Sequence, residues 1–210
     1  MKKIIILLSL SLFMLTFLQS CGEPVAKGGP VEGYVLEEGT RTPLSEAIVV
    51  ATWRGTVSSL ADSSGVCFHV ESTTTNEKGR FYIPTWKKQT KFARSREQFV
   101  DVVVYKSGYQ WPEKVFEKGN EHYLAPAKGT MEERLAYLKR LSGSTGCPSS
   151  DKSEKNILIL DKALYEEAKQ IAVTKKGKKL VETLLFGIES LEFDSNTALE
   201  RMIKRREANK

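Results

Sequence analysis

Few side chains in this sequence are spaced for chemistry, and the nearest approach to a site is Cys67-Phe-His69-Val-Glu71. Alternate residues of a strand leave one face, so Cys67, His69 and Glu71 project together. With His122, the only other histidine, they make a conceivable zinc set, but no compact four-ligand spacing accompanies them. Catalytic signatures are also missing. No G-x-S-x-G elbow surrounds a serine, and Ser63-Ser64-Gly65 reads as a turn. Neither a phosphate-cradling glycine loop nor an HExxH helix occurs. The expectation is therefore no enzyme, no cofactor and no metal, with Cys67, His69 and His122 as the residual metal candidates. Trp53, Trp86 and Trp111 offer either a stacking surface for carbohydrate or a small ligand, or core filling. Lys175-Lys-Gly-Lys-Lys179 and Lys204-Arg-Arg206 read as solvated helix ends or as contacts to anionic lipid or polysaccharide.

The elements that must position these residues change character halfway along. The chain has 210 residues, 40% hydrophobic and 28% charged, enough for one globular domain and something more. Its formal charge of +6 is uneven: 13 basic and 13 acidic residues fall in 22–127, and 17 and 13 in 128–210. A neutral first half and a mildly basic second half exclude a strong nucleic-acid signature, so no nucleic-acid partner is expected.

Residues 31–37, 47–56, 66–75, 80–84 and 99–105 alternate with period 2 between turn residues, and 122–125 makes a shorter sixth segment. Six such strands predict a small β-sandwich over residues 31–127. Residues 21–30, with two Pro and two Gly within 23–30, read as a tether, and 87–96 and 143–155 as flexible stretches. From 128 to 210 the period becomes 3.6. Thr130-Met-Glu-Glu133 is a capping box, Met131, Leu135, Leu138 and Leu141 form one stripe, and Gly143 ends the helix. Further helices are expected over 156–173, 178–193 (Leu180, Leu184, Ile188 and Leu191 on one face) and 194–208. Short isolated helices are marginal in water, so these stripes call for a partner surface, the sandwich first and a second protein as the alternative.

The N-terminus carries an address. Lys2 and Lys3 precede an apolar run from residue 4 to 18, too short to span a bilayer and of the length of a signal-peptide h-region. Leu18-Gln19-Ser20-Cys21 resembles the lipobox of bacterial lipoproteins, with Gln at −2 less usual. The resemblance implies cleavage after Ser20 and acylation of Cys21, and two or three acyl chains anchor stably at about 0.8 kcal/mol per buried CH₂. Gly22, rather than Asp, favours the outer membrane over the inner. With Cys21 taken by lipid and the chain exported, Cys67 and Cys147 are left as an expected disulfide.

Four segments in order carry a second resemblance. Gly33 and Val35 match a G-x-V opening strand, and Thr42-Pro-Leu-Ser-Glu-Ala-Ile-Val49 a PLxGAxV step. Thr73-Thr-Thr-Asn-Glu-Lys-Gly-Arg-Phe81 matches TxTDxxGRF, and Val104-Tyr-Lys-Ser-Gly-Tyr109 the closing GY strand. This region resembles the carboxypeptidase regulatory-like domain, a transthyretin-like β-sandwich of about six or seven strands. Glu46 stands where that family has Gly, Asn76 where it has Asp, and insertions lengthen 58–66 and 86–99. The enzymatic relatives of the fold need an H-x-H iron motif or a C-terminal Tyr-Arg-Gly-Ser, and neither is here. The resemblances together imply a mainly β lipoprotein with an α tail, held at the periplasm-facing envelope by its acyl chains. Its module would bind or scaffold an envelope protein, or alternatively bind carbohydrate or a small ligand, with metal-dependent activity a distant third.

Overall fold

Residues 47–53, Ala-Ile-Val-Val-Ala-Thr-Trp, are apolar on both alternating faces but for one threonine, a pattern that suits a strand covered on both sides. The computed structural model places them so. It describes residues 25–58, 63–89, 95–112, 117–145, 147, 152–193 and 195–208. The signal segment, Ser20 and Cys21 lie outside the described residues.

Among the described residues there are ten strands: β1 (Val25–Gly28), β2 (Val31–Glu37), β3 (Ile48–Ser58), β4 (Ser63–Thr74), β5 (Arg80–Ile83), β6 (Trp86–Gln89), β7 (Ser95–Tyr105), β8 (Tyr109–Gln110), β9 (Glu117–Lys118) and β10 (Glu121–Pro126). An antiparallel sheet runs β4-β3-β7, and a second runs β5-β2-β10-β8 with β9 on β10. β10 lies parallel to β2. β1 pairs antiparallel with β6 as a separate ribbon, Val25 against Gln89 through Gly28 against Trp86.

The ribbon corrects two expectations. Residues 25–28 of the predicted tether are a strand, and the predicted flexible stretch from 87 begins inside another. Gly28 shows why the ribbon is specific: a Cβ there would collide with the indole Nε1 atoms of Trp86 and Trp53. β3 and β4 stay paired out to Ser58 against Ser63.

Among the described residues four helices follow the strands: α1 (Met131–Ser144), then after a 3₁₀ turn at Lys152–Ile157, α2 (Leu158–Ile171), α3 (Lys175–Glu192) and α4 (Ser195–Ala208). The capping box is formed, with the Thr130 side chain accepting from Glu133 N–H and the Glu133 carboxylate accepting from Thr130 N–H. Gly143 sits within the last turn of α1 rather than ending it.

Two cores share β3. Val49, Ala51 and Trp53 face Val35, Phe81, Ile83 and Leu124 of the other sheet. Ile48, Val50, Val70, Val103 and Tyr105 face Leu135, Leu138, Leu141, Leu160, Leu164 and Leu184 of the helices. The helical stripes are thus covered by the sheet of the same chain. Met131 departs from its stripe and stays exposed. The architecture is mixed rather than mainly β: strands in several sheets are followed by a helical tail that, among the described residues, holds nearly as many residues as the strands.

Glu46 adopts φ +55°, the left-handed conformation that Gly takes without strain. Asn76 holds the turn that follows, its Oδ1 accepting from the backbone N–H groups of Lys78 and Arg80 at 3.0 Å.

Candidate interaction surface

A sheet edge presents unpaired backbone N–H and C=O groups, and folds manage such edges by shortening or covering them. In the second sheet the outer strands are short, four residues in β5 and two in β8. The three-stranded sheet has two long edges, and they are treated differently. Along β4, Asn156 Nδ2 donates to Val70 O at 2.8 Å, and Ser72 Oγ donates to Asn156 O at 2.6 Å. Cys67 of the same strand lies at disulfide distance from Cys147, with Cα atoms 5.4 Å apart. The expected disulfide thus fastens the chain beyond α1 to that edge.

β7 is 11 residues long and, among the described strands, pairs on one side only, with β3. Its inner half is built into the cores through Val103, Val104 and Tyr105. Residues 98–101 of its outer half are exposed. Phe99, on the helix-side face, is 51% exposed, and Val100, on the opposite face, is 41% exposed. Arg54, across from Phe99 on β3, lies 3.2 Å from Asp101 through Nε and donates to Ser144 O at 2.9 Å through its other end. Gln98 donates to Lys27 O at 3.0 Å, which sets β1 beside this half of β7.

Trp53, His69 and Trp86 come together next to this half-strand. His69 lies 4.7 Å from the Trp86 ring and 5.6 Å from Trp53, and its Nε2 is 3.4 Å from a Glu71 carboxylate oxygen. Trp53 and Trp86 meet edge to face at 5.6 Å. Trp53 is only 4% exposed, so its ring fills the core rather than lining a glycan surface. Trp86 is half-buried, its Nε1 enclosed without a hydrogen-bond partner among the described residues. Trp111 stands apart from the expected trio's platform role, edge-on to Tyr137 at 6.1 Å and donating through Nε1 to Val104 O at 3.1 Å.

The metal candidates are distributed in the same way. Cys67 is held by Cys147, whereas His122 belongs to β10 in the other sheet, 4% exposed and 5.6 Å from the Phe81 ring. Burial pushes the His122 imidazole below its ordinary pKa, partly offset by the Glu117 carboxylate. Among the described residues no group of three or more His, Cys, Asp and Glu could hold a metal ion.

The helical layer is locked to the sheet by an ion pair that sequence reasoning missed. Arg134 on α1 makes two bonds to the Glu167 carboxylate on α2, at 2.6 and 2.9 Å, and a third to Tyr109 O at 2.5 Å. Tyr105 of β7 donates to the same carboxylate at 2.5 Å. Burial raises the Glu167 pKa, but the Arg134 and Tyr105 bonds outweigh it and hold the carboxyl below its usual value. The Arg134 guanidinium also lies over the Tyr137 ring, 4.9 Å from its centroid. The signal was faint. A charged residue inside a leucine stripe is the only trace such a pair leaves in sequence.

The geometry leaves a strand edge with exposed apolar side chains on its two faces, Phe99 on one and Val100 on the other. No family model, no curated protein and no solved structure matches the chain.

Proposed function

We propose that this chain is a non-catalytic lipoprotein of the bacterial envelope that binds another protein through the outer half of β7. In this reading Cys21 carries the acyl anchor, with the outer membrane as the favoured destination. The two facing sheets form a transthyretin-like sandwich of the carboxypeptidase regulatory-like kind.

The observation that carries the proposal is the contrast along the three-stranded sheet: Asn156 bonds to the β4 edge and Trp111 to the inner half of β7, while the outer half of β7 is open beside exposed Phe99 and Val100. A partner strand added to β7 would gain main-chain hydrogen bonds, with side-chain contacts to Phe99 on one face and Val100 on the other. An open half-strand with exposed Phe99 and Val100 on its two faces invites association, and a partner strand is the occupant that fits it. The carbohydrate alternative is weakened because Trp53 is turned inward.

The test is photo-crosslinking in intact cells with a photoreactive residue at Phe99 or Val100, and at exposed Glu132 on α1 as the control. A discrete adduct from 99 and 100, absent from 132 and lost on Phe99→Glu when the probe is at 100, supports the proposal. Equal labelling from all three positions, or none from β7, contradicts it.

A further inference from the structure

The β1–β6 ribbon has an inner face and an outer face. Ala26, Gly28 and Trp86 are half-buried, whereas Val25, Lys27, Lys87 and Gln89 are exposed. The register sets Lys27 directly opposite Lys87 on the outer face. Like charges in a directly opposed cross-strand pair repel. No described carboxylate forms an ion pair with either ammonium group. Val25 is 47% exposed on the same face. At the level of sequence the bias continues, since residues 87–96 include five basic residues and no acidic one.

The position of the ribbon gives this charge a direction. Cys21 precedes Val25 by four residue steps, at most about 14 Å of extended chain. An anchor at Cys21 therefore holds the outer face of the ribbon within roughly two Debye lengths of the headgroups at physiological salt. The short connection also gives a high effective concentration, so contacts too weak to recruit a free protein still form. The C-terminal basic cluster is less suited, because Arg205 and Arg206 are already paired with Glu189 and Glu182.

We propose that the outer face of the β1–β6 ribbon, centred on Lys27 and Lys87, docks on anionic phospholipid headgroups of the membrane that holds Cys21. The proposal rests on the lipid anchor of the function proposed above. Phosphates seated between the two ammonium groups relieve their repulsion, and Val25 meets the interface beside them. Docking also fixes the orientation of the molecule. Because Gln98 of β7 bonds to Lys27 O, the open edge is presented close to the membrane surface.

The experiment uses the full acylated protein reconstituted in vesicles of phosphatidylcholine alone, or with about one third phosphatidylglycerol. A membrane-impermeant reagent acetylates accessible lysines, and peptide mass spectrometry reads each site. Lys27 and Lys87 are expected to react at least about threefold more slowly on the anionic vesicles, with the difference erased near about 0.5 M salt. Exposed Lys78 and Lys139 are expected to react alike on both. Equal reactivity of Lys27 and Lys87 on the two vesicle types, with an acylated Cys21 peptide in the same digest, overturns the docking proposal. A Cys21 peptide without acyl chains overturns the anchor instead.

Discussion

Asn156 caps the edge of β4 from a position 86 residues away in sequence, its side-chain amide donating to Val70 O at 2.8 Å. The same residue accepts from Ser72 Oγ through its backbone carbonyl. β7, on the other side of β3, is capped only in its inner half, where Trp111 Nε1 donates to Val104 O at 3.1 Å, and its outer half has no such cap among the described residues.

Replacing that cap tests whether β4 is closed by it. Asn156→Ala is expected to lower stability by about 1 kcal/mol, the net value of a typical hydrogen bond plus the exposed carbonyl it leaves. Chemical denaturation measures the loss. Amide exchange in the middle of β4 is expected to quicken at the same time, while β7 is unchanged.

How much of this was legible in the sequence depended on the range of the signal. Strands with alternating or continuous apolar residues, such as β2 and β3, announce themselves locally, and so does the Thr130–Glu133 box. β1 and β6 do not: Val-Ala-Lys-Gly and Trp-Lys-Lys-Gln are four residues each, and pairing across 60 residues is what makes them strands. The open half-edge was illegible for the same reason, since nothing near Phe99 says that Asn156 bonds to β4 and Trp111 to the inner half of β7 while the outer half is left without a cap among the described residues. The pairing of Cys67 with Cys147 was legible only because two cysteines remained once Cys21 was set aside.

The Arg134–Glu167 pair makes a second prediction. Its side chains are about 9–10% exposed, so removing one partner strands a buried charge. Arg134→Met is expected to cost about 3–5 kcal/mol in urea unfolding, whereas Arg134→Met with Glu167→Met recovers most of it. A double variant as unstable as the single one would show that packing, not charge, sets the cost.

Two buried groups predict opposite pH dependences. Burial pushes the Asp161 carboxyl up from 3.8 to about 6. The folded state then holds its proton longer than the unfolded one, and stability falls as pH rises through that window. Asp161→Asn is expected to stabilise by up to about 3 kcal/mol at pH about 7.5 and by little at pH about 3.5. For His122 the folded pKa is lowered, so the folded state holds fewer protons and stability falls as pH drops below about 6.5. His122→Leu is expected to remove that loss, read as a flatter profile of urea midpoints between pH about 5 and about 7.

Glu46 makes the fourth prediction. Its φ of +55° costs a residue with a Cβ roughly 1–2 kcal/mol. Glu46→Gly is expected to raise stability by about 1 kcal/mol, less than the full strain because Gly also loses more chain entropy on folding. Thermal unfolding of the two proteins side by side measures it.

The most direct test of an occupied β7 edge is amide hydrogen exchange along that strand, in the purified protein and in membranes from cells that make it. In purified protein the amides of residues 97–101 that point away from β3 are expected to exchange at least about 100-fold faster than those of the inner half, as an open edge requires. In native membranes the same amides are expected to slow to the level of the inner half, because a partner strand supplies their acceptors. Identical fast exchange in both preparations would contradict partner binding at β7.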